Sequence, residues 1–151
     1  LDAMALVKLN VLHLHLTDSQ SFPIVLDEPR SAGPVDPAEL GRKGGFFSSS
    51  SYSSADLRYL VSEAKQRGIR VVPEVDVPAH TLSWGKAFPD IVVNCRHQSS
   101  AAQSPTDIPA LDPTKNQTYQ VIEAVLRSLV DVFPDPFLHL GADEVRYACW
   151  E

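Results

Sequence analysis

The sequence predicts an α/β fold built on parallel strands, and three observations carry that expectation. Segments with helical periodicity alternate with segments of strand periodicity, in the order helix, strand, helix, strand, helix, strand, which is the signature of right-handed βαβ units. Each strand-like segment closes on polar residues: Thr17-Asp18, then Asp76 to His80, then Asp143-Glu144. In parallel α/β folds the ligand site lies at the C-terminal ends of the strands. Finally, 151 residues that are 44% hydrophobic and 21% charged belong to the globular class. A (β/α)8 barrel takes about 250 residues, so this chain is expected to hold part of one. A complete doubly wound domain is the alternative, with a meagre sheet of three strands.

The elements follow in chain order. Residues 2–9 read as a helix. In residues 9–16, Asn10, Leu12, Leu14 and Leu16 fall on one strand face and Val11, His13 and His15 on the other. Residues 22–54 are rich in Pro, Gly and Ser and read as a long loop. Ser53 and Asp56 form a capping-box pattern at the start of the next helix. Leu57, Leu60, Val61 and Ala64 make its apolar face, and Gly68 supplies its stop. Residues 69–77 are β-branched and read as a strand, with Pro73 counting against full pairing. After an irregular stretch over residues 94–113, Thr114 and Gln117 predict a second capping box. Tyr119, Ile122, Leu126, Leu129, Val130 and Phe133 are expected on the buried face of that last helix, which Pro134 and Pro136 end. Residues 137–140 read as a short final strand with Gly141-Ala142-Asp143-Glu144 at its tip.

Composition narrows the function classes. A net charge of −6 with scattered Lys and Arg argues against nucleic acid as a partner. No apolar run approaches the roughly 20 residues of a membrane span. The two cysteines, Cys95 and Cys149, are too few for a zinc cage and read as a disulfide or two buried thiols. Asn116-Gln117-Thr118 is an N-glycosylation sequon, meaningful only in the secretory pathway. The chain opens inside a helix and closes at Trp150-Glu151 without a cap, so both ends are expected to be cut and residues 1–151 to form part of a barrel.

Among residues that could do chemistry, the adjacent pair Asp143-Glu144 comes first. Neighbouring carboxylates repel and raise the proton affinity of at least one, which suits general acid–base work. A solvated acidic turn is the blander reading of any Asp-Glu dipeptide. His80 could hydrogen-bond a loop carbonyl, and Asp18 could be a turn residue; their repetition at successive strand tips is what unites them. His13 and His15 share one strand face and could hold a metal, with His80 and Asp143 completing the set.

Together these motifs resemble glycoside hydrolase family 20, the β-N-acetylhexosaminidases. The resemblance rests on His139-Leu140-Gly141-Ala142-Asp143-Glu144-Val145, on residues 8–18, on Arg67-Gly68-Ile69-Arg70-Val71, and on Glu74-Val75-Asp76-Val77-Pro78-Ala79-His80-Thr81. Asp112-Pro113 and Ala148-Cys149-Trp150 look similar to the lysosomal or vacuolar branch. The resemblance implies a retaining, substrate-assisted glycosidase in which the acetamido group of the sugar is the nucleophile. Glu144 would be general acid and base, Asp143 would orient the acetamide, and His80 with Asp18 would support the acid. It also implies a Cys95–Cys149 disulfide, glycosylation at Asn116, a secretory, lysosomal or vacuolar location, and a glycan with terminal β-N-acetylhexosamine as partner. No cofactor or resident metal is implied, and homo-oligomerisation is left open. The family usually has Gly at the positions of Ala79 and Ala142, and its substrate-binding arginine and pocket tryptophans are missing here. The chain alone is therefore expected to be inactive. Two rivals stand beside this reading: a non-catalytic carbohydrate-binding relative, and a metal-dependent barrel hydrolase using His13 and His15.

Overall fold

A computed structural model describes residues 1–27, 33–47, 50–93 and 109–150. Its centre is the parallel pair β1 (Val11–Thr17) and β4 (Arg70–Val75), in register from Val11 opposite Arg70 to His15 opposite Glu74. On the far side of β4 runs a third segment, joined by a parallel bridge between Glu74 and His139. The His139 amide donates to the Pro73 carbonyl at 3.0 Å, and the Val75 and Val77 amides donate to His139 and Leu140, each at 3.1 Å. The three tips thus lie side by side in sequence order, the middle one from β4.

The period-two pattern of β1 decides which face is covered. Leu12, Leu14 and Leu16 pack toward the core with Val71 and Val75, whereas Val11, His13 and His15 are exposed on the opposite face. Two amphipathic helices cover the apolar face. One, α3 (Ser54–Gln66), begins at a complete capping box between Ser53 and Asp56 and ends before Gly68 at φ +69°. It buries Leu57 and Ala64 against β4 and against α4 (Asn116–Val132). Each fully buried Leu or Val contributes about 1.5–3 kcal/mol relative to exposure, so this apolar layer anchors the sheet that carries the tips.

Several expectations are corrected. The first helix, α1, is shorter, Asp2–Leu6, because the chain turns at Lys8 with φ +61°. The described residues of the stretch 22–54 are not a long loop. They contain β2 (Ile24–Val25), α2 (Ala38–Gly44) and β3 (Tyr52–Ser53), with Phe22, Ile24, Leu26 and Leu40 fully buried. Glycine here serves close packing: a Cβ on Gly41 would lie 2.1 Å from the Ile24 carbonyl oxygen. The expected final strand is reduced to the single bridge at His139. Pro73 is tolerated because its nitrogen faces that side, where regular pairing has not begun, and not β1.

The second capping box does not form. Asp112 Oδ1 takes both the amide and the hydroxyl of Thr114, and Lys115 precedes the first turn of α4 without a side-chain cap. The buried face of α4 is also rotated from expectation. Val121, Ala124, Val125, Leu129 and Val132 are buried with Thr118 and Ser128, while Tyr119 and Val130 are exposed. Thr118 and Ser128 are accepted inside because their hydroxyls donate to the carbonyls of Asp112 at 2.6 Å and Asp27 at 2.9 Å. Of the irregular stretch 94–113, residues 94–108 lie outside the described residues. Next to it β5 (Val92–Val93) pairs antiparallel with β6 (Ala110–Leu111).

Candidate active site

The geometry of the tips starts with a break in β1. Its register with β4 shifts between His15 and Thr17, and such a bulge re-aims the residues that follow. Asp18 then turns away from the ladder, exchanging backbone hydrogen bonds with Ser21 at 3.1 and 3.2 Å. The buried Ser83 hydroxyl donates to the Asp18 carbonyl at 2.8 Å and fixes the turn. Asp18 also borders a cleft of about 310 Å3 with His15, Gln20 and Phe46.

From the middle tip, His80 reaches across to both neighbours. Its Nδ1 lies 3.0 Å from Asp18 Oδ1. Its Nε2 has no hydrogen-bond partner among the described residues, yet Glu144 Oε2 stands 3.4 Å away and Asp76 Oδ2 and Asp143 Oδ1 each 3.8 Å away. When Nδ1–H donates to Asp18, the neutral ring turns the Nε2 lone pair toward Glu144. That arrangement lets Asp18 set the tautomer and His80 receive or return a proton at the Glu144 carboxyl. All four candidates, Asp18, His80, Asp143 and Glu144, are therefore brought into one cluster. His80 is mostly buried, while Asp143 and Glu144 stand exposed above it.

The third tip gets its shape from backbone strain. Gly141, Ala142 and Glu144 have φ of +66°, +73° and +49°, and His80 has +58°. A non-glycine residue in this region costs about 1–2 kcal/mol, and such costs gather where function over-determines the backbone. Among the described residues, three of the four non-glycine positive-φ residues are in this cluster. Ala142 thus stands in the conformation that favours glycine. Ala79, the other departure from the family pattern, is not among the positive-φ residues and is buried.

Asp76 ties the tip down, and the sequence reading did not single it out. Its carboxylate is buried, and its Oδ1 accepts the Ala142 amide at 3.2 Å. Burial pushes the Asp76 carboxyl above the usual carboxylate range, opposed by the Ala142 amide and reinforced by the neighbouring Asp143 charge. Below it, Glu74 is buried between two imidazoles: its Oε2 meets His13 Nε2 and lies 3.3 Å from His139 Nδ1. A signal for both carboxylates was present. Glu74 and Asp76 alternate on one face of an otherwise apolar, β-branched strand, which is costly unless that face is a site.

The metal quartet His13, His15, His80 and Asp143 is not assembled. The groups whose ligand atoms come within 4.8 Å of one another are His13 with Glu74 and His139, His15 with Glu74 and Asp76, and Asp76 with His80 and Asp143. Asn116 is exposed at the first residue of α4. Cys149 is bonded in a disulfide, and Cys95, its expected partner, lies outside the described residues.

Over residues 1–151 the chain matches the family described as glycosyl hydrolase family 20, catalytic domain. It is 42% identical over 151 residues to the human β-hexosaminidase subunit beta, covering all of this chain and 25% of that one. Against the β-hexosaminidase subunit beta of Entamoeba histolytica it is 34% identical, over 99% of this chain and 26% of the other. Among solved structures, the chitobiase of Flavobacterium johnsoniae superposes with a TM-score of 0.78 at 29% identity, covering 99% of this chain and 21% of that chain. An exo-β-N-acetylglucosaminidase from Vibrio harveyi, solved in complex with N-acetylglucosamine, gives 0.70 at 28% identity, covering 95% and 24%. The chain thus spans about a quarter of the length of the curated relatives it matches.

Proposed function

The chain belongs to glycosyl hydrolase family 20, its parallel strands are part of that family's (β/α)8 barrel, and from that premise we propose that the full-length protein is a retaining β-N-acetylhexosaminidase. It removes terminal N-acetylhexosamine from a glycan or glycoconjugate. The observation that carries this reading is His80 held between Asp18 at 3.0 Å and Glu144 at 3.4 Å. In this reading Glu144 protonates the leaving glycosidic oxygen and later takes a proton from the attacking water, with His80 and Asp18 stabilising each state. The substrate's acetamido carbonyl forms the bond to C1, so no side chain needs to be a nucleophile. Asp143 receives the acetamido N–H and stabilises the positive charge that develops on that group.

The secretory pathway is the compartment this reading implies, supported by the disulfide at Cys149 and the exposed sequon residue Asn116. Cys95 is the pairing partner proposed for Cys149. No described helix is long and apolar enough to cross a membrane. One observation favours a second reading, a carbohydrate-binding relative without turnover: Ala142 occupies a φ of +73° beside the acidic pair.

Chromogenic N-acetylglucosaminides test the reading on the full-length protein. We expect turnover that survives chelation and that Glu144→Gln lowers by about a hundredfold or more for poor leaving groups, less for activated aryl ones. Asp143→Ala should affect both substrate types alike. Binding without turnover would establish the second reading, and turnover lost to a chelator would remove both.

A further inference from the structure

Beneath the acidic pair lies a polar layer that the roles above do not use: His13 on β1, Glu74 on β4 and His139 on the third segment. Their rings and carboxylate are in mutual contact, with the His13 and His139 ring centroids 4.8 Å apart. What sets His139 apart is its direction. Its Nδ1 lies 3.0 Å from the Gly141 amide nitrogen, two residues along, as well as 3.3 Å from Glu74 Oε2. One ring nitrogen cannot accept from an amide and donate to a carboxylate at once. The amide has only an N–H to give, so Nδ1 must offer its lone pair there. Glu74 Oε2 is then satisfied from the other side, by His13 Nε2.

The next amide is held the same way, since Ala142 N–H is taken by Asp76 Oδ1 at 3.2 Å. Two successive amides with positive φ, Gly141 and Ala142, are therefore received by side chains of the face opposite the helices, where a strand would have used its neighbour's carbonyls. The chain leaves the ladder at this point, and these two bonds set the direction in which Asp143 and Glu144 emerge.

We propose that His139 is a positioning residue for the acidic pair, acting through its Nδ1 lone pair on the Gly141 amide, with the His13 ring, itself held by Glu74, packed against the imidazole. This rests on the catalytic reading of Asp143 and Glu144. A displacement of about 1 Å in a catalytic group can cost on the order of a hundredfold in rate, so losing this anchor lowers kcat more than it weakens binding.

The test uses two variants of the full-length protein that differ in where they offer an acceptor. His139→Asn places an amide oxygen near the position of Nδ1, whereas His139→Gln places its polar end near Nε2 and leaves the Gly141 amide unmet. With kcat normalised to the cooperatively folded fraction, the Asn variant should keep kcat within about threefold and the Gln variant should lose about 10- to 100-fold, KM changing little in either. Equal kcat in the two variants, whether kept or lost, overturns the proposal. If neither folds, Glu74→Gln carries the same readout, because its amide can donate to His139 Nδ1 and compete with Gly141. It should lower kcat by about tenfold at unchanged KM, and an unaltered kcat overturns the proposal. Glu144→Gln, run alongside, tells the two failures apart. Undiminished turnover in it overturns the catalytic reading and this proposal together. Turnover lost in it but kept in His139→Gln overturns this proposal alone.

Discussion

Gly141→Ala is the smallest change that should disable the proposed site. A Cβ added at Gly141 would fall 1.9 Å from Asp76 Oδ1, 2.5 Å from its Cγ and 3.0 Å from Glu74 Oε1. Real Cβ contacts are essentially never closer than 3.0 Å, so the Asp76 carboxylate or the turn must move by more than an ångström. Asp76 is buried, so a shift of its carboxylate disturbs the atoms packed around it. The φ of +66° adds the left-handed penalty, about 1–2 kcal/mol for an alanine. Breaking the Asp76–Ala142 hydrogen bond in a buried setting adds about 1–3 kcal/mol. We therefore expect a stability loss of about 2–5 kcal/mol by denaturant titration of the full-length protein. The turn that moves carries Asp143 and Glu144, so kcat on an activated aryl N-acetylglucosaminide should fall about a hundredfold. A Gly141→Ala variant that keeps kcat within about threefold would refute the reasoning, because the close approach would then have no bearing on the acidic pair.

Three further outcomes are expected. Ala142→Gly should stabilise the full-length protein by about 0.5–1 kcal/mol in the same titration, since the exposed Cβ at φ +73° is strained and packs against little. Asp76→Asn should change how stability depends on pH. A carboxyl whose folded pKa is raised binds its proton more tightly in the native state, so its contribution is full below the unfolded value of 3.8 and is lost as pH rises through the folded pKa. Urea titrations at a series of pH values should show a smaller decline above pH 3.8 in the variant than in the parent. Peptide mapping without reduction should recover Cys95 linked to Cys149. Reduction should then cost up to about 4 kcal/mol, the chain-entropy figure for closing a loop of this length.

Periodicity made the central architecture legible. The alternation in β1, the capping box at Ser53 and the stop at Gly68 are local signals, and each element lies where its own residues demanded. What failed depended on tertiary partners. Phe22, Ile24 and Leu40 sit among prolines and glycines that mimic a loop, and only their common burial under Trp84 and Leu26 makes a folded layer. On α4, Thr118 and Ser128 entered the core because distant carbonyls at Asp112 and Asp27 were waiting for their hydroxyls. The same limit applied at the site. Glu74 and Asp76 were visible as polar residues in an apolar strand, but Asp76's hold on the Ala142 amide and Glu74's contact with His139 depend on a segment 65 or more positions away. No local pattern reports that contact.

The layer formed by the described residues between 22 and 54 also bears on how quickly the sheet can assemble. Its two ends are stapled together at its base: Ile24 pairs with Tyr52, Val25 with Ser53, and the Asp27 amide donates to Ser54 Oγ at 3.0 Å. Pairing of β1 with β4 otherwise has to close a span of about 60 residues, from Val11 to Arg70. Where the staple forms first, roughly half of that span is already looped out. Halving a loop lowers its closure cost by about 0.6 kcal/mol, worth about threefold in the rate of a closure-limited step. With that order of events, an excursion that lengthens the chain on paper would act as a kinetic shortcut, bringing the first tip to the second at a lower closure cost.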